Sequence, residues 1–262
     1  MSALLSMVVS LAPRGSGRFE GGDAVQGWIL DQVRRDDPGL AAALHANQEL
    51  KPYTVSPLRL DDQRGMGEVR LTALGEQIAS GLLRSLRRAG ADVAVGTTLW
   101  RVQDDAVARQ QHQWANTTSA VALFDRAKRA TDRDATLVFH SPTAFGGYDD
   151  GLGLFPEPRL VFESLLKRWR SLDARPPAPL PEGDWTRHIQ VRAHELKTVA
   201  PAGPHRHVRT GFVGICCYRV ERQAPPSVAL WLRACAALAL YSGVGMGTAR
   251  GMGQVTGEWG EA

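Results

Sequence analysis

Tyr241-Ser-Gly-Val-Gly-Met-Gly-Thr-Ala-Arg-Gly-Met-Gly-Gln-Val255 places five glycines within eleven residues, between an apolar helical run and a closing strand pattern. Glycine has no Cβ, so such a stretch lets the backbone adopt positive φ and come close to another chain or to an anion. A dinucleotide site would run strand, glycines, helix, with the pyrophosphate on the helix N-terminus. Here Ser227 to Tyr241 reads as a helix and Gln254 to Trp259 as a strand, so the order is reversed and the Rossmann reading fails. What remains is Gly243-Val-Gly245, five residues, then Gly251-Met-Gly253. A phosphate chain lying on backbone N–H groups is one use for it, and a helix C-cap leading into a bulged strand is another.

Working back from this loop, the second half reads as strand Ala135 to His140, helix Pro158 to Trp169 with Val161, Leu165 and Trp169 in register, and strands Arg187 to Leu196 and His207 to Val220. The Ala/Leu-rich helix and the last strand complete it. A proline-rich loop, Arg175-Pro-Pro-Ala-Pro-Leu-Pro-Glu-Gly183, interrupts this half. The first half repeats the order. Ala3 to Leu11 is a strand, Val25, Ile29 and Val33 mark a helix, and Asp36-Asp37-Pro38 starts a short one ending near His45. Tyr53 to Leu60 and Glu68 to Leu74 are strands, Leu74 to Leu86 gives a helix, and Val93 to Val102 supplies further strand. The fold expected is α+β, two tandem ferredoxin-like (RRM-like) βαββαβ domains. They divide as 1–115 and 135–262, with 116–134 as the region between them.

Bulk properties agree with two domains of ordinary size: 262 residues, 44% hydrophobic. The net charge of +4 and a pI near 9.2 allow a polyanionic partner but do not demand one. Three cysteines, two of them adjacent at Cys216 and Cys217, form neither a disulfide framework nor a zinc motif, which points to a reducing cytoplasm. The segment from Ala3 to Ala12 is short, lacks a preceding basic residue and reads as a strand rather than a signal peptide. No apolar run reaches the roughly 18 residues of a membrane span. The reading assigns no metal and no cofactor.

The paired Gly-hydrophobic-Gly loop resembles that of the CRISPR-associated repeat-RNA-processing endoribonucleases of the RAMP superfamily, the sixth Cas family. Further stretches carry the likeness along the chain: Gln26-Gly-Trp-Ile, Leu44-His45, Lys51-Pro-Tyr-Thr-Val-Ser-Pro57, His140-Ser-Pro-Thr143, Phe155-Pro-Glu-Pro158 and Thr210-Gly-Phe-Val-Gly214. The resemblance implies a metal-independent endoribonuclease that leaves 5′-hydroxyl and 2′,3′-cyclic phosphate ends. Its catalytic histidine falls on His45 and its helper lysine, which would meet the charge on the phosphorane, on Lys51. An imidazole and a cation suit that chemistry, because RNA carries its own 2′-hydroxyl nucleophile.

Residues implied to hold RNA are Gly243, Gly245, Gly247, Arg250, Gly251 and Gly253, with Arg206 and Arg209 read from a probable strand bearing His205 and His207. Two positions depart from the family pattern. Leu30 stands where some relatives have a tyrosine, and Met246 where many have a cation after the first Gly-hydrophobic-Gly. A non-cleaving RNA-binding subunit of a CRISPR effector complex is therefore the alternative, and a ferredoxin-like nucleotide-binding module a weaker third. Expected partners are CRISPR repeat RNA, as precursor and as mature guide, then effector proteins and a second copy of the chain; no membrane is implied. Basic clusters at Arg84, Arg87 and Arg88, at Arg126, Lys128 and Arg129, and at Lys167, Arg168 and Arg170 read first as solvated helix ends.

Overall fold

The computed structural model describes all of the chain except residues 1–2, 16–20, 47–49, 62–64, 149–150, 173–177, 180, 182, 201–209 and 260–262. The first half runs β1 (Ala3–Pro13), α1 (Gly22–Asp36), α2 (Pro38–His45), β2 (Tyr53–Val55), β3 (Arg59–Asp61), β4 (Met66–Leu74), α3 (Glu76–Arg87), β5 (Asp92–Val95) and β6 (Thr98–Ala106). Its sheet has the order β2-β4-β1-β6-β5, antiparallel throughout, with β3 also on β4. The second half holds β8 (Asp134–Thr143), α5 (Pro158–Arg170), β11 (Ile189–Val199), β12 (Gly211–Val220), α6 (Pro226–Ser242) and β13 (Val255–Glu258), with β9 (Phe145–Tyr148) and β10 (Gly151–Gly153) as an added hairpin. Its sheet order, β11-β12-β8-β13, is the same arrangement of first, second, third and last strands. Both halves are ferredoxin-like, as the sequence pattern predicts.

Three differences have physical causes. The expected strand from Tyr53 to Leu60 is broken, because Pro57 has no N–H to give and the Arg70 N–H donates to the Ser56 hydroxyl, at 2.8 Å, instead of to a strand carbonyl. The expected run from Val93 to Val102 is a hairpin, turning at Gly96 with φ +60°. The region 116–134 contains β7 (Asn116–Ser119), paired with β1, and α4 (Ala120–Arg129), whose N-cap Ser119 side chain accepts from the Ala122 N–H.

Two cores result. One lies between the first sheet and α1 and α3, the other between the second sheet and α4, α5 and α6. Helix α6 is buried nearly all round, because it packs on β8, β13, α4 and α5 and also touches β1, β2 and β4 of the other half. Alternation along the strands turns Val69 and Leu71 into the first core and Arg70 the other way. It does the same for Phe139 and His140 in β8.

The two sheet faces that point away from their own helices thus meet each other. Arg70 donates to the Gln254 Oε1 at 2.7 and 3.0 Å, while Gln254 Nε2 donates to the Val55 carbonyl at 3.0 Å. Trp114 sits between Arg59 and Arg70, with guanidinium carbons 5.6 and 5.7 Å from its ring centre, and 5.0 Å from the His140 ring. The surfaces an RNA-recognition motif would offer to bases are closed. No helix among the described residues is long and apolar enough to cross a membrane.

Candidate active site

Helix α2 exists because Asp37 caps it, its carboxylate accepting from the Leu40 N–H at 2.9 Å, and because Pro38 occupies the first turn, where a missing N–H is harmless. The helix ends at His45, which is exposed. Helix C-termini leave carbonyls without partners. Lys51 supplies those partners: its ammonium donates to the carbonyls of Leu44 at 3.0 Å, His45 at 3.2 Å and Ala46. Burial, and then the charge of Arg250, lower its pKa. The family resemblance implies that Lys51 meets charge on the phosphorane. In the structure its three N–H groups fix the end of the helix that carries His45.

The glycine loop follows α6, as expected, but most of its amides are turned inward. The N–H groups of Gly243, Val244, Met246 and Gly253 go to the carbonyls of Ala239, Gly253, Ala144 and Pro142. Those of Gly245 and Gln254 go to the hydroxyls of Ser164 and Ser141. Of the loop's amides, those of Gly247, Thr248, Ala249 and Gly251 have no partner among the described residues. Glycine is required at Gly253 for packing: its φ is +63°, and a Cβ there would stand 2.0 Å from the Val244 carbonyl oxygen. Gly22, at the start of α1, is pressed on the same loop from the other half, a Cβ there meeting the Arg250 carbonyl oxygen at 2.2 Å.

These elements share one cleft of about 700 Å³. His45 and Lys51 line it from the first half; Gly245, Gly247 and Arg250 line it from the second. Gly243, Gly251 and Gly253 are buried and do not line it. Arg206 and Arg209, with His205 and His207, lie outside the described residues. Arg250 is exposed and 3.8 Å from Asp23.

Two lining residues, Tyr53 and Arg168, have no counterpart among the expected site residues. Tyr53 is 1% exposed; burial raises its pKa, and its hydroxyl accepts from Gln26 Nε2 at 2.9 Å. Leu30, which stands where the resemblance would put a tyrosine, lines the cleft too. Arg168 falls seven residues after Val161, on the buried stripe of α5, and is not the solvated helix end that the cluster Lys167, Arg168 and Arg170 suggests. Its neighbours in type behave differently: Arg84 and Arg88 pair with Asp36, and Arg87 with Asp105, which ties that cluster into the fold. Among the described residues no group of His, Cys, Asp and Glu could hold a metal ion, and Cys216, Cys217 and Cys235 are free.

Residues 137–255 match the model of the CRISPR-associated endoribonuclease Cas6 family. Among solved structures, a product complex of a Thermus thermophilus Cas6 is 26% identical, with a TM-score of 0.82 over 98% of this chain and 100% of that one. A second Cas6 product complex is 28% identical, with a TM-score of 0.79 and coverage of 98% and 100%. A substrate-mimic complex of that protein gives 28%, 0.78, 98% and 99%. A search of curated proteins by sequence finds no match. The matched segment runs from β8 through the paired-glycine loop into β13, and the likeness to the solved Cas6 structures spans both halves of the chain.

Proposed function

We propose that this protein cuts the repeat segments of a CRISPR precursor transcript without a metal ion, leaving a 5′-hydroxyl and a 2′,3′-cyclic phosphate. The observation that carries the reading is the shared cleft, which an exposed histidine from one half and the cationic end of a loop from the other line together. In the reaction the 2′-oxygen attacks the adjacent phosphorus and the bond from phosphorus to the 5′-oxygen breaks. His45 takes the 2′-hydroxyl proton and can return one to the leaving 5′-oxygen, so no proton is lost or gained overall. Arg250, together with the free amides from Gly247 to Ala249, holds the phosphate and offsets the charge of the phosphorane. Lys51 fixes the helix end from which His45 reaches. The setting is the cytoplasm, where the transcript is made, and the cut product passes to effector proteins.

The test uses end-labelled repeat RNA in EDTA. Wild type is expected to cut at one position, to stop when that nucleotide is 2′-deoxy, and to leave a cyclic phosphate. His45→Ala should bind the RNA and leave it whole. Cleavage by His45→Ala in EDTA would remove the histidine from the chemistry, and binding without cleavage by the wild type would make this a holding subunit.

A further inference from the structure

Beneath the loop lies a charge that the fold does not neutralise. Arg168, on the last turn of α5, is 2% exposed. Its Nη2 donates to the Thr248 hydroxyl at 3.2 Å and to the Gly245 carbonyl at 3.4 Å, while Nε and Nη1 have no partner among the described residues. No carboxylate pairs with it among those residues, and burial alone lowers its pKa, to about 10, so it stays cationic at neutral pH. The titratable groups sharing its cleft are His45, Lys51, Tyr53 and Arg250, none of them an acid that would be charged at pH 7. Of the nearby carboxylates, Asp23 is within ion-pair reach of Arg250, and Glu163 of α5 lines the adjoining pocket with Gly245 and Met246, with no ion pair to Arg168 among the described residues. A cation withdrawn from water without a counter-charge is a costly arrangement, usually relieved by a paired acid or a ligand.

We propose that Arg168 is a positioning residue whose missing counter-ion is a phosphate of the bound RNA, held above it on the Gly245–Arg250 segment. This rests on the RNA-cleaving function proposed above and adds to it a second, buried cation acting through the loop. The guanidinium sets the Gly245 carbonyl and the Thr248 hydroxyl, and its field passes through a low-dielectric layer to the unpaired amides of Gly247, Thr248 and Ala249. A merely structural arginine would hold the loop but add nothing to the salt dependence of binding.

Two variants separate charge from shape. Arg168→Lys keeps the charge without the planar fork, and Arg168→Gln keeps hydrogen bonding without the charge. Affinity for repeat RNA is measured between about 50 and 200 mM salt, where each phosphate neutralised contributes roughly 0.7–0.9 to the logarithmic slope. Arg168→Gln should bind about tenfold more weakly at low salt with its slope reduced by about that amount, and Arg168→Lys should keep the wild-type slope. Inorganic pyrophosphate gives a probe free of RNA: it should raise the unfolding temperature of wild type and Arg168→Lys more than that of Arg168→Gln. Equal slopes and equal pyrophosphate shifts for wild type and Arg168→Gln overturn the inference while leaving the nuclease reading intact. A wild type that ignores repeat RNA takes both down.

Discussion

The most economical residue in the site is Lys51, because one ammonium satisfies the carbonyls of Leu44 and His45 at the end of α2 and that of Ala46 just beyond it. Its charge also suits the negative end of the helix dipole. Replacing it by methionine should free the last turn of α2 and with it His45, whose placement matters because a shift of about 1 Å can cost about 10²-fold in rate. Single-turnover cleavage at saturating RNA should fall by about that factor, while binding changes little. Amide exchange at His45 and Ala46 should quicken in the same variant. Unchanged exchange with lost cleavage would return Lys51 to direct contact with the phosphate.

Among elements, the α6–loop–β13 unit shows how far a sequence can be read. The turn from helix to glycines to strand was visible in composition, and α2 in its Asp37-Pro38 start. Which amides face outward was not visible, since this depends on Ala144, Pro142, Ser141 and Ser164, residues far away in sequence. The sequence offers the loop's glycines either to a phosphate or to a helix cap and bulged strand; in the structure three of them are buried in close packing and two line the cleft. Arg168 could have been found from its place on an apolar stripe, whereas the β9–β10 hairpin, short and rich in glycine, carries no period to detect. For this unit, Gly253→Ala should lower stability by about 1–3 kcal/mol from the left-handed backbone alone, and more from the clash with Val244. Urea unfolding measures it. Gly22→Ala should push on the Arg250 backbone instead, weakening RNA binding more than stability.

At the scale of the molecule, the two halves are joined through polar groups in a dry place. His140 donates to or accepts from Thr256 at 2.8 Å, and its pKa is pushed down to about 4, first by burial and then by Arg70 and Arg59. Glu68, 3.5 Å from His112, is the acid in this cluster. In the unfolded chain the same imidazole takes its proton near pH 6.5. Between those values the unfolded state binds more protons, so acidification favours unfolding. The stabilising contribution is complete above pH 6.5 and is lost as the pH falls to about 4. Denaturant midpoints should decline across that window in wild type and much less in His140→Asn; parallel profiles would exclude His140 as the cause. Arg70→Met tests the same junction, and should loosen the seam without touching the cleft residues.

The cleft is assembled from opposite ends of the chain, His45 near its beginning and Gly245 to Arg250 near its close, with β13 pairing onto β8 after that loop. During translation the histidine therefore leaves the ribosome long before its partner loop is made. A polypeptide that stops short of Gly245 lacks one wall of that cleft, so on the function proposed above it should leave transcripts whole.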